Sequence, residues 1–256
     1  PYYILQNNVV MKRFYHPDAL ELNQIANLSE VAAHHATNVM RLKLSDKIIL
    51  FNNDVYDFGA EIIRISKNRV EVVIQSKIAN RKDSDLKIRL IQSISSTEKM
   101  DWIIQKSVEL GVHTIVPIFS QRSIIKLNND RAEKKLSHWK QIIQSACEQC
   151  GRSKVPEIFI PTKFDAFWSN ETISNKDHLK LILSPLAKNS FRTISTIKPS
   201  AIDIMIGPEG GFSEEEVVNA EKNGFIPFEI GPRILRTETA PLAMLALLQY
   251  KYGDIV

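Results

Sequence analysis

Cysteine is scarce in this sequence, with two residues in 256, and the apolar runs are short. Two cysteines cannot build a disulfide framework, so we expect a reducing environment. No apolar run approaches the roughly 20 residues that cross a bilayer. The sequence does not open with a basic leader and an apolar stretch, so we expect no secretory signal. Together these absences predict a cytoplasmic protein that does not enter a membrane.

Internal repeats and low-complexity segments are also absent. The chain is 44% hydrophobic and 24% charged, which are ordinary globular values and exclude wholesale disorder, a collagen-like repeat and a coiled coil. At roughly 150 residues per domain, the length predicts one large or two small domains. Such a chain is long enough to bury a sizeable core.

The net charge of +4 is unevenly distributed along the chain. Residues 76–160 carry 15 Lys and Arg against 9 Asp and Glu, whereas residues 1–75 carry 8 of each and residues 161–256 carry 10 against 12. A local excess of positive charge attracts phosphate backbones. Two interpretations stay open for the middle region: a nucleic-acid contact or a solvated, lysine-rich helical face.

The first third of the chain has the pattern of short strands. Apolar and β-branched residues alternate or run together in three segments, at 47–51, 61–65 and 69–74. Residues 67–68 suit a tight hairpin, and one helix is predicted from its N-cap Ser29 toward Val39. This pattern predicts a small barrel-like β domain over residues 11–79, with the polar segment 80–85 as a linker.

Beyond the linker, strand and helix patterns alternate. Strands are predicted at 86–94, 113–119, 179–184, 202–206 and 228–230. Two helices are predicted at 137–150 and 239–252. Two more are predicted to begin at capping boxes, one formed by Ser95 and Glu98 and the other by Ser213 and Glu216. This alternation is typical of a mostly parallel sheet covered by helices, so the fold class is α/β.

A glycine-rich segment follows the predicted strand 202–206. Residues 207–213 are Gly-Pro-Glu-Gly-Gly-Phe-Ser, at the carboxyl end of a parallel strand, where ligands of α/β folds bind. The phosphate-binding spacings of glycines and lysine are missing, and the glutamates at 214–216 would repel a phosphate from the helix start. The segment predicts a site for a ligand without phosphate, or else a turn that serves strand-to-helix geometry alone.

A second polar segment precedes the last helix. Residues 230–241 are Ile-Gly-Pro-Arg-Ile-Leu-Arg-Thr-Glu-Thr-Ala-Pro, in which Thr239 is a candidate N-cap and Pro241 falls in the first turn. Arg236 can pair with Glu238 or Glu209. Spacing alone does not separate a functional cluster from an ordinary capped helix with a surface ion pair.

Together, the two segments resemble the signature of the ribosomal RNA small-subunit methyltransferase E family, which belongs to the SPOUT, or trefoil-knot, methyltransferases. Further similarity lies at 105–112, 121–123, 148–152, 40–42, His35 and Asp46. The resemblance covers nearly everything from Met11 onward. One departure is Ser-Ser-Thr-Glu at 95–98, where the family usually has Pro-Lys-Gly-Asp, so an RNA contact at this step is weaker or passes through Lys99.

The resemblance implies a PUA-like β-barrel RNA-binding domain over 11–79 and a SPOUT methyltransferase domain with a C-terminal knot over 86–256. It also implies a homodimer, without a metal ion, that uses S-adenosyl-L-methionine to methylate N3 of a uridine in 16S ribosomal RNA of the small subunit. By position, the cofactor cleft would be lined by Leu183, Ser184, Pro185, Ile206, Gly207, Pro208, Gly210, Gly211, Ile230, Gly231, Ile234, Leu235, Thr237 and Thr239.

Methylation at uridine N3 suggests roles for the charged residues of the two segments. Losing the N3 proton builds negative charge on the neighbouring carbonyl oxygens, so we expect Arg236 to stabilise that charge. Glu209 or Glu238 would act as the base or orient another group. Phosphate contacts are expected from basic residues in the family-like stretches, namely Arg13, Arg41, Lys43, Arg122 and Arg152, although several of them could instead be structural ion-pair partners.

Two other functions stay open. A SPOUT enzyme of this kind could act on transfer RNA or on a ribose 2′-oxygen, and a ribosome-assembly factor could bind RNA without catalysis. The pair Cys147 and Cys150 has no second pair to complete a zinc site, so we expect it on a buried helical face.

Overall fold

The structure is a computed structural model that describes residues 5–6, 9–67, 69–123, 129–170, 177–185, 187, 189–193 and 197–256. The chain divides into two compact units. Unit 1 comprises residues 1–83 and 144–155, and unit 2 comprises residues 84–143 and 156–256. The first boundary falls inside the predicted linker, whereas the return of residues 144–155 to unit 1 is not visible in the sequence pattern.

Unit 1 is built on β-structure. Its strands are β1 (Leu5–Gln6), β2 (Val9–Val10), β3 (Lys12–Tyr15), β4 (Ile25–Asn27), β5 (Lys47–Phe51), β6 (Tyr56–Ser66) and β7 (Arg69–Ala79). The sheet order is β3-β5-β6-β7-β4, with β3 and β5 parallel and the other pairs antiparallel. Ser66 pairs with Arg69, which confirms the predicted hairpin, although Asn68 lies outside the described residues.

Alternation along these strands places one face of the sheet in an apolar core. Ile48, Leu50, Phe58, Ile62 and Val72 are among the residues buried there, because successive side chains in a strand point to opposite faces.

The predicted helix begins where expected but does not stay α-helical. The hydroxyl of Ser29 accepts a hydrogen bond from the N–H of Ala32 and caps α1 (Glu30–His34). Residues 35–39 continue as a π-helix, in which the N–H of Met40 bonds the carbonyl of His35. The predicted extent of the helix, from Ser29 toward Val39, is therefore right, but its second half is a π-helix and not an α-helix.

A buried polar cluster joins β3, β6 and the returning segment within unit 1. The Arg13 guanidinium pairs with Asp57, which also accepts hydrogen bonds from Asn80 at 3.0 Å and Ser153 at 2.7 Å. Arg13 and Asp57 are both buried, with 4% of each residue exposed. A buried charge needs its partner, so this cluster fixes residues 144–155 to the rest of the unit.

Replacing Asp57 with Ala should leave the Arg13 charge buried without compensation. We expect the free energy of local opening in unit 1 to fall by about 3–5 kcal/mol. Hydrogen–deuterium exchange of peptides from β6 and β7 measures this opening directly. Asp18→Ala, at an exposed position of the same unit, is the control and should leave exchange unchanged; equal protection in both variants would contradict the prediction.

Unit 2 contains a parallel sheet, as the strand–helix alternation predicts. Its strands are β8 (Ile88–Ser93), β9 (Thr114–Phe119), β10 (Glu157–Ile158), β11 (Thr162–Lys163), β12 (His178–Leu183), β13 (Asn189–Ser190), β14 (Ala201–Ile206) and β15 (Ile226–Glu229). The order is β10-β9-β8-β14-β12-β15-β13, β11 also pairs with β9, and every pairing is parallel.

The helices that accompany these strands in the chain are α2 (Thr97–Glu109), α3 (Asn129–Cys150), α4 (Phe164–Phe167), α5 (Glu214–Lys222) and α6 (Ala240–Tyr252). The helix α3 begins in unit 2 and its last residues belong to unit 1, whereas the other four lie within unit 2. The helix predicted from residue 137 begins at Asn129, because residues 131–136 are mostly strong helix formers. The strand predicted at 228–230 is Ile226–Glu229 and includes Pro227. Within the part of the chain that the structure describes, no helix is long and apolar enough to cross a membrane.

The two predicted capping boxes have different outcomes. At α5, the Ser213 hydroxyl accepts from the N–H of Glu216, and the Glu216 carboxylate accepts from the N–H of Ser213, as predicted. At α2 the prediction is wrong: the N-cap is Ser96, without a side-chain capping bond. The hydroxyl of Ser95 instead donates to Glu209, far along the chain.

Candidate active site

A cavity of about 410 Å³ lies in unit 2, lined by the loops that follow three adjacent parallel strands. β14, β12 and β15 are neighbours in the sheet, so their carboxyl ends meet at one edge. This is where open α/β sheets bind ligands. The volume falls in the usual range of small-molecule sites.

Most residues predicted for the cofactor cleft line this one cavity. They are Leu183, Ser184, Pro185, Ile206, Gly207, Pro208, Gly211, Ile230, Gly231, Ile234, Leu235 and Thr237. Two others lie elsewhere: the carbonyl of Gly210 accepts a hydrogen bond from Arg122 at 2.8 Å, and Thr239 is the N-cap residue of α6. The structure thus brings the two signature segments together.

A single hydrogen bond links the two loops directly. The hydroxyl of Thr237 donates to the carbonyl of Gly207 at 2.7 Å and accepts from the side-chain amide of Gln92 at 3.4 Å. Thr237 is buried, whereas Thr239 is exposed and makes no side-chain capping bond. The predicted capping role of Thr239 is therefore limited to its backbone position.

Two glycines have a steric reason in the loop that follows β14. A Cβ atom at Gly207 would lie 3.1 Å from the backbone of Gly211, so the loop could not close as tightly. Gly211 itself has φ of +67°, which L side chains adopt at a cost. The N–H of Gly211 bonds the carbonyl of Pro208 at 2.9 Å and completes this turn.

The start of α5 binds two of its backbone donors, the N–H groups of Ser213 and Glu216, through its own side chains. The Glu216 carboxylate accepts from the N–H of Ser213 at 2.9 Å and from the N–H of Gln121 at 2.7 Å. Glu214 and Glu215 add negative charge to the same turn. A phosphate bound there would be repelled by these carboxylates, which supports the prediction of a ligand without phosphate.

Lys99 enters the same cavity from the first turn of α2. Its Nζ donates to Oε1 of Glu209 at 2.8 Å and lies 3.7 Å from Oε2 of Glu238. The sequence suggested Lys99 only as an RNA contact. The pairing of β8 with β14 brings it to the site, and residue spacing gave no signal of that pairing.

The pKa of Glu209 lies below the ordinary value of a glutamate. Burial raises the pKa, but hydrogen bonds from Lys99 and Ser95 favour the carboxylate and outweigh it. Glu209 therefore stays ionised at neutral pH and holds a proton weakly.

Arg236 lines the cavity with a largely solvent-exposed side chain, 83% accessible. Its Nη1 lies 3.9 Å from Oε1 of Glu238, a distance that leaves the guanidinium donors available. Glu238 does not line the cavity, and its Oε2 is buried without a hydrogen-bond partner. Glu238 thus lies between two cations, Arg236 and Lys99.

The five residues predicted to contact RNA fall into two groups. Arg41 and Lys43 in unit 1 and Arg122 in unit 2 are exposed. Arg13 pairs with Asp57, and Arg152 pairs with Asp83 at 2.9 Å, with 7% of Arg152 exposed. These last two residues fit the ion-pair alternative, because a guanidinium buried against a carboxylate has little surface left for a phosphate.

The cysteine pair lies at the carboxyl end of α3. Cys147 is buried, and burial raises the pKa of its thiol, while Cys150 is partly exposed. Within the described ranges, no group of three or more His, Cys, Asp and Glu side chains is arranged to hold a metal ion.

Comparison with known proteins identifies this architecture. Residues 82–249 match the family described as an RNA methyltransferase domain, and residues 29–75 match the RNA methyltransferase PUA domain. The ribosomal RNA small subunit methyltransferase E of Buchnera aphidicola subsp. Schizaphis graminum is 41% identical over 243 residues, covering 95% of this chain and 97% of the relative. The Bacillus subtilis protein of that name is 32% identical over 224 residues, covering 85% and 87%.

Two solved structures are similar over 96% of this chain and 100% of their own. A methyltransferase from Legionella pneumophila with bound cofactor SAM has a TM-score of 0.91 at 40% identity. A ribosomal RNA small subunit methyltransferase E from Neisseria gonorrhoeae, bound to S-adenosyl methionine, has a TM-score of 0.88 at 38% identity. Fold and site therefore define an RNA methyltransferase of the SPOUT class with an N-terminal PUA domain. The chain belongs to the ribosomal RNA small subunit methyltransferase E family, as its two signature segments predict.

Replacing Thr237 with Val should uncouple the two loops. The partly buried carbonyl of Gly207 loses its donor, so we expect a loss of about 1 kcal/mol in the free energy of unfolding of unit 2. All three tryptophans, Trp102, Trp139 and Trp168, lie in that unit, so denaturation followed by tryptophan fluorescence reports on it.

Thr239→Val is the matched control. Thr239 makes no side-chain capping bond, so its replacement should change the free energy by less than about 0.5 kcal/mol. Equal losses in the two variants would show that the hydrogen bond between Thr237 and Gly207 contributes nothing particular.

Proposed function

We propose that this protein transfers a methyl group from S-adenosyl-L-methionine to N3 of a uridine in the 16S ribosomal RNA of the small subunit. The observation that carries the proposal is the meeting of the two signature loops around one cavity that also holds Lys99, Glu209 and Arg236. Family membership and the names of the relatives support the substrate class.

The residues around the cavity fit this cofactor. Ile206, Ile230 and Leu235 give it apolar walls, and the turns at 207–211 and 231–237 bring backbone polar groups to its edge. S-adenosyl-L-methionine has no phosphate, in agreement with the acidic start of α5. When bound, it supplies an electrophilic methyl group on a sulfonium, which is a good leaving group. The protein then has to orient the nucleophile and remove its proton.

The charged residues have separate roles in that task. N3 would give up its proton and form the bond to the methyl carbon. The S–C bond would break at the same time, and its electron pair would stay on sulfur. Negative charge develops on the carbonyl oxygens beside N3, and Arg236 donates hydrogen bonds to it. Glu209 lines the cavity and takes the proton, while Glu238 orients Arg236.

Unit 1 is proposed to bind the RNA, in keeping with its match to the PUA domain. Exposed Arg41 and Lys43 supply positive charge there, and exposed Arg122 supplies it beside the loop after β14. The homodimer, the C-terminal knot and action in the cytoplasm also belong to this proposal. Half-exposed apolar residues of α6, such as Leu242 and Leu247, support a partner copy.

The test is methyl transfer from labelled S-adenosyl-L-methionine to small ribosomal subunits that lack the modification. Nuclease digestion followed by mass spectrometry should reveal N3-methyluridine in 16S RNA. Label in transfer RNA or on a ribose 2′-oxygen would support the rival SPOUT activity instead. RNA binding without any transfer would support a non-catalytic assembly factor.

Arg236→Ala should lower the turnover number by about 10²-fold, because a donor to developing charge is lost. Cofactor affinity, measured by titration calorimetry, should change much less. Lys222→Ala removes a positive charge from the exposed end of α5 and should leave both quantities unchanged. If turnover and affinity fall equally in Arg236→Ala, Arg236 serves binding and not the chemical step.

A further inference from the structure

We propose that Lys99 is a second catalytic cation, which donates a hydrogen bond to one carbonyl oxygen beside uridine N3 while Arg236 serves the other. The inference rests on the proposed function and deepens it. Its starting point is that the ammonium of Lys99 and the guanidinium of Arg236 line the same cavity.

The sheet order explains how a residue so distant in sequence reaches the site. β8 pairs with β14 in the centre of the parallel sheet. The chain leaving β8 at Ser93 reaches α2 within four residues, so the first turn of α2 lies beside the loop at 207–211. Lys99 in that turn is therefore anchored by two regular elements and does not depend on a long loop for its position.

The contacts of the Lys99 ammonium hold it in place but do not use all of its hydrogen-bond donors. Of its three N–H donors, one bonds Glu209 at 2.8 Å, while Glu238 lies at 3.7 Å and makes an ion pair without a hydrogen bond. The hydroxyl of Ser95 holds the same oxygen of Glu209 from another direction. The Lys99 side chain is 32% exposed, so donors remain for a substrate oxygen in the cavity.

The chemistry gives a second cation a role. Deprotonation of N3 spreads charge over two carbonyl oxygens on opposite sides of the nitrogen, and the methyl group approaches between them, so a separate donor at each oxygen stabilises the anion best. The lowered pKa of Glu209 makes it a weak base, so proton removal depends on stabilising the anion that forms.

Lys99 has the charge state that this role needs. The hydrogen bond to Glu209 is the main cause that raises the pKa of Lys99 above its ordinary value, so the group stays an ammonium at neutral pH. The charged groups around it are Glu209, Glu238 and, beyond Glu238, Arg236.

The test compares Lys99→Met, Lys99→Arg and the control Lys106→Met by turnover at saturating substrates from about pH 6 to about pH 9. Lys106 is on the same helix, is paired with Glu109 at 2.7 Å and does not line the cavity. We expect Lys99→Met to lose about 10²-fold near neutral pH, Lys99→Arg to retain most turnover, and Lys106→Met to match the wild type.

The pH profile separates a catalytic role from a structural one. Without the ammonium, N3 must ionise with less help, so turnover of Lys99→Met should climb with pH and approach the wild type in alkaline solution. A loss that is constant across pH, unchanged turnover, or an equal loss of cofactor affinity would overturn the inference. Absence of N3-methyluridine with the wild type would instead overturn the proposed function itself.

Discussion

The hydrogen bond from Thr237 to the carbonyl of Gly207 joins two loops that are about 30 residues apart in sequence. Each loop is short and contains glycine and proline, and this hydrogen bond fixes one loop against the other. Their contact encloses the cavity and directs Glu209 and Arg236 toward a common space. The rest of unit 2 supplies the parallel strands that deliver both loops to one edge of the sheet.

Electrostatics at this edge follow from a balance within a small group of charges. Lys99 and Arg236 flank Glu238, and Lys99 also bonds Glu209, so each carboxylate has a cation nearby. Because Glu209 accepts hydrogen bonds from Lys99 and Ser95, its carboxylate stays ionised close to an apolar wall. The same pairing weakens Glu209 as a base, which shifts the catalytic burden toward the two cations.

Local signals in the sequence were sufficient for much of the fold. Strand and helix periods and the Ser29 and Ser213 caps depend on neighbours within a few residues, and they are confirmed. The two glycine-containing segments line one cavity, and their role in binding stays a prediction. Contacts between segments distant in sequence produce no local pattern from which they could be predicted. Ser95 bonds Glu209 instead of capping α2, Arg13 is buried against Asp57, and residues 144–155 return to unit 1, because strand order and packing decide these pairings.

The acidic first turn of α5, with its capping box, bears on which ligands the protein selects. Adenine nucleotides share the adenosine part of the proposed cofactor and are abundant in cells. The first turn of α5 disfavours a phosphate chain, because Glu214 and Glu215 are negatively charged and the N–H groups of Ser213 and Gln121 are already bound to Glu216. A phosphate chain that reached this turn would meet charge repulsion, so α5 does not offer the anion site that helix starts in α/β folds often provide.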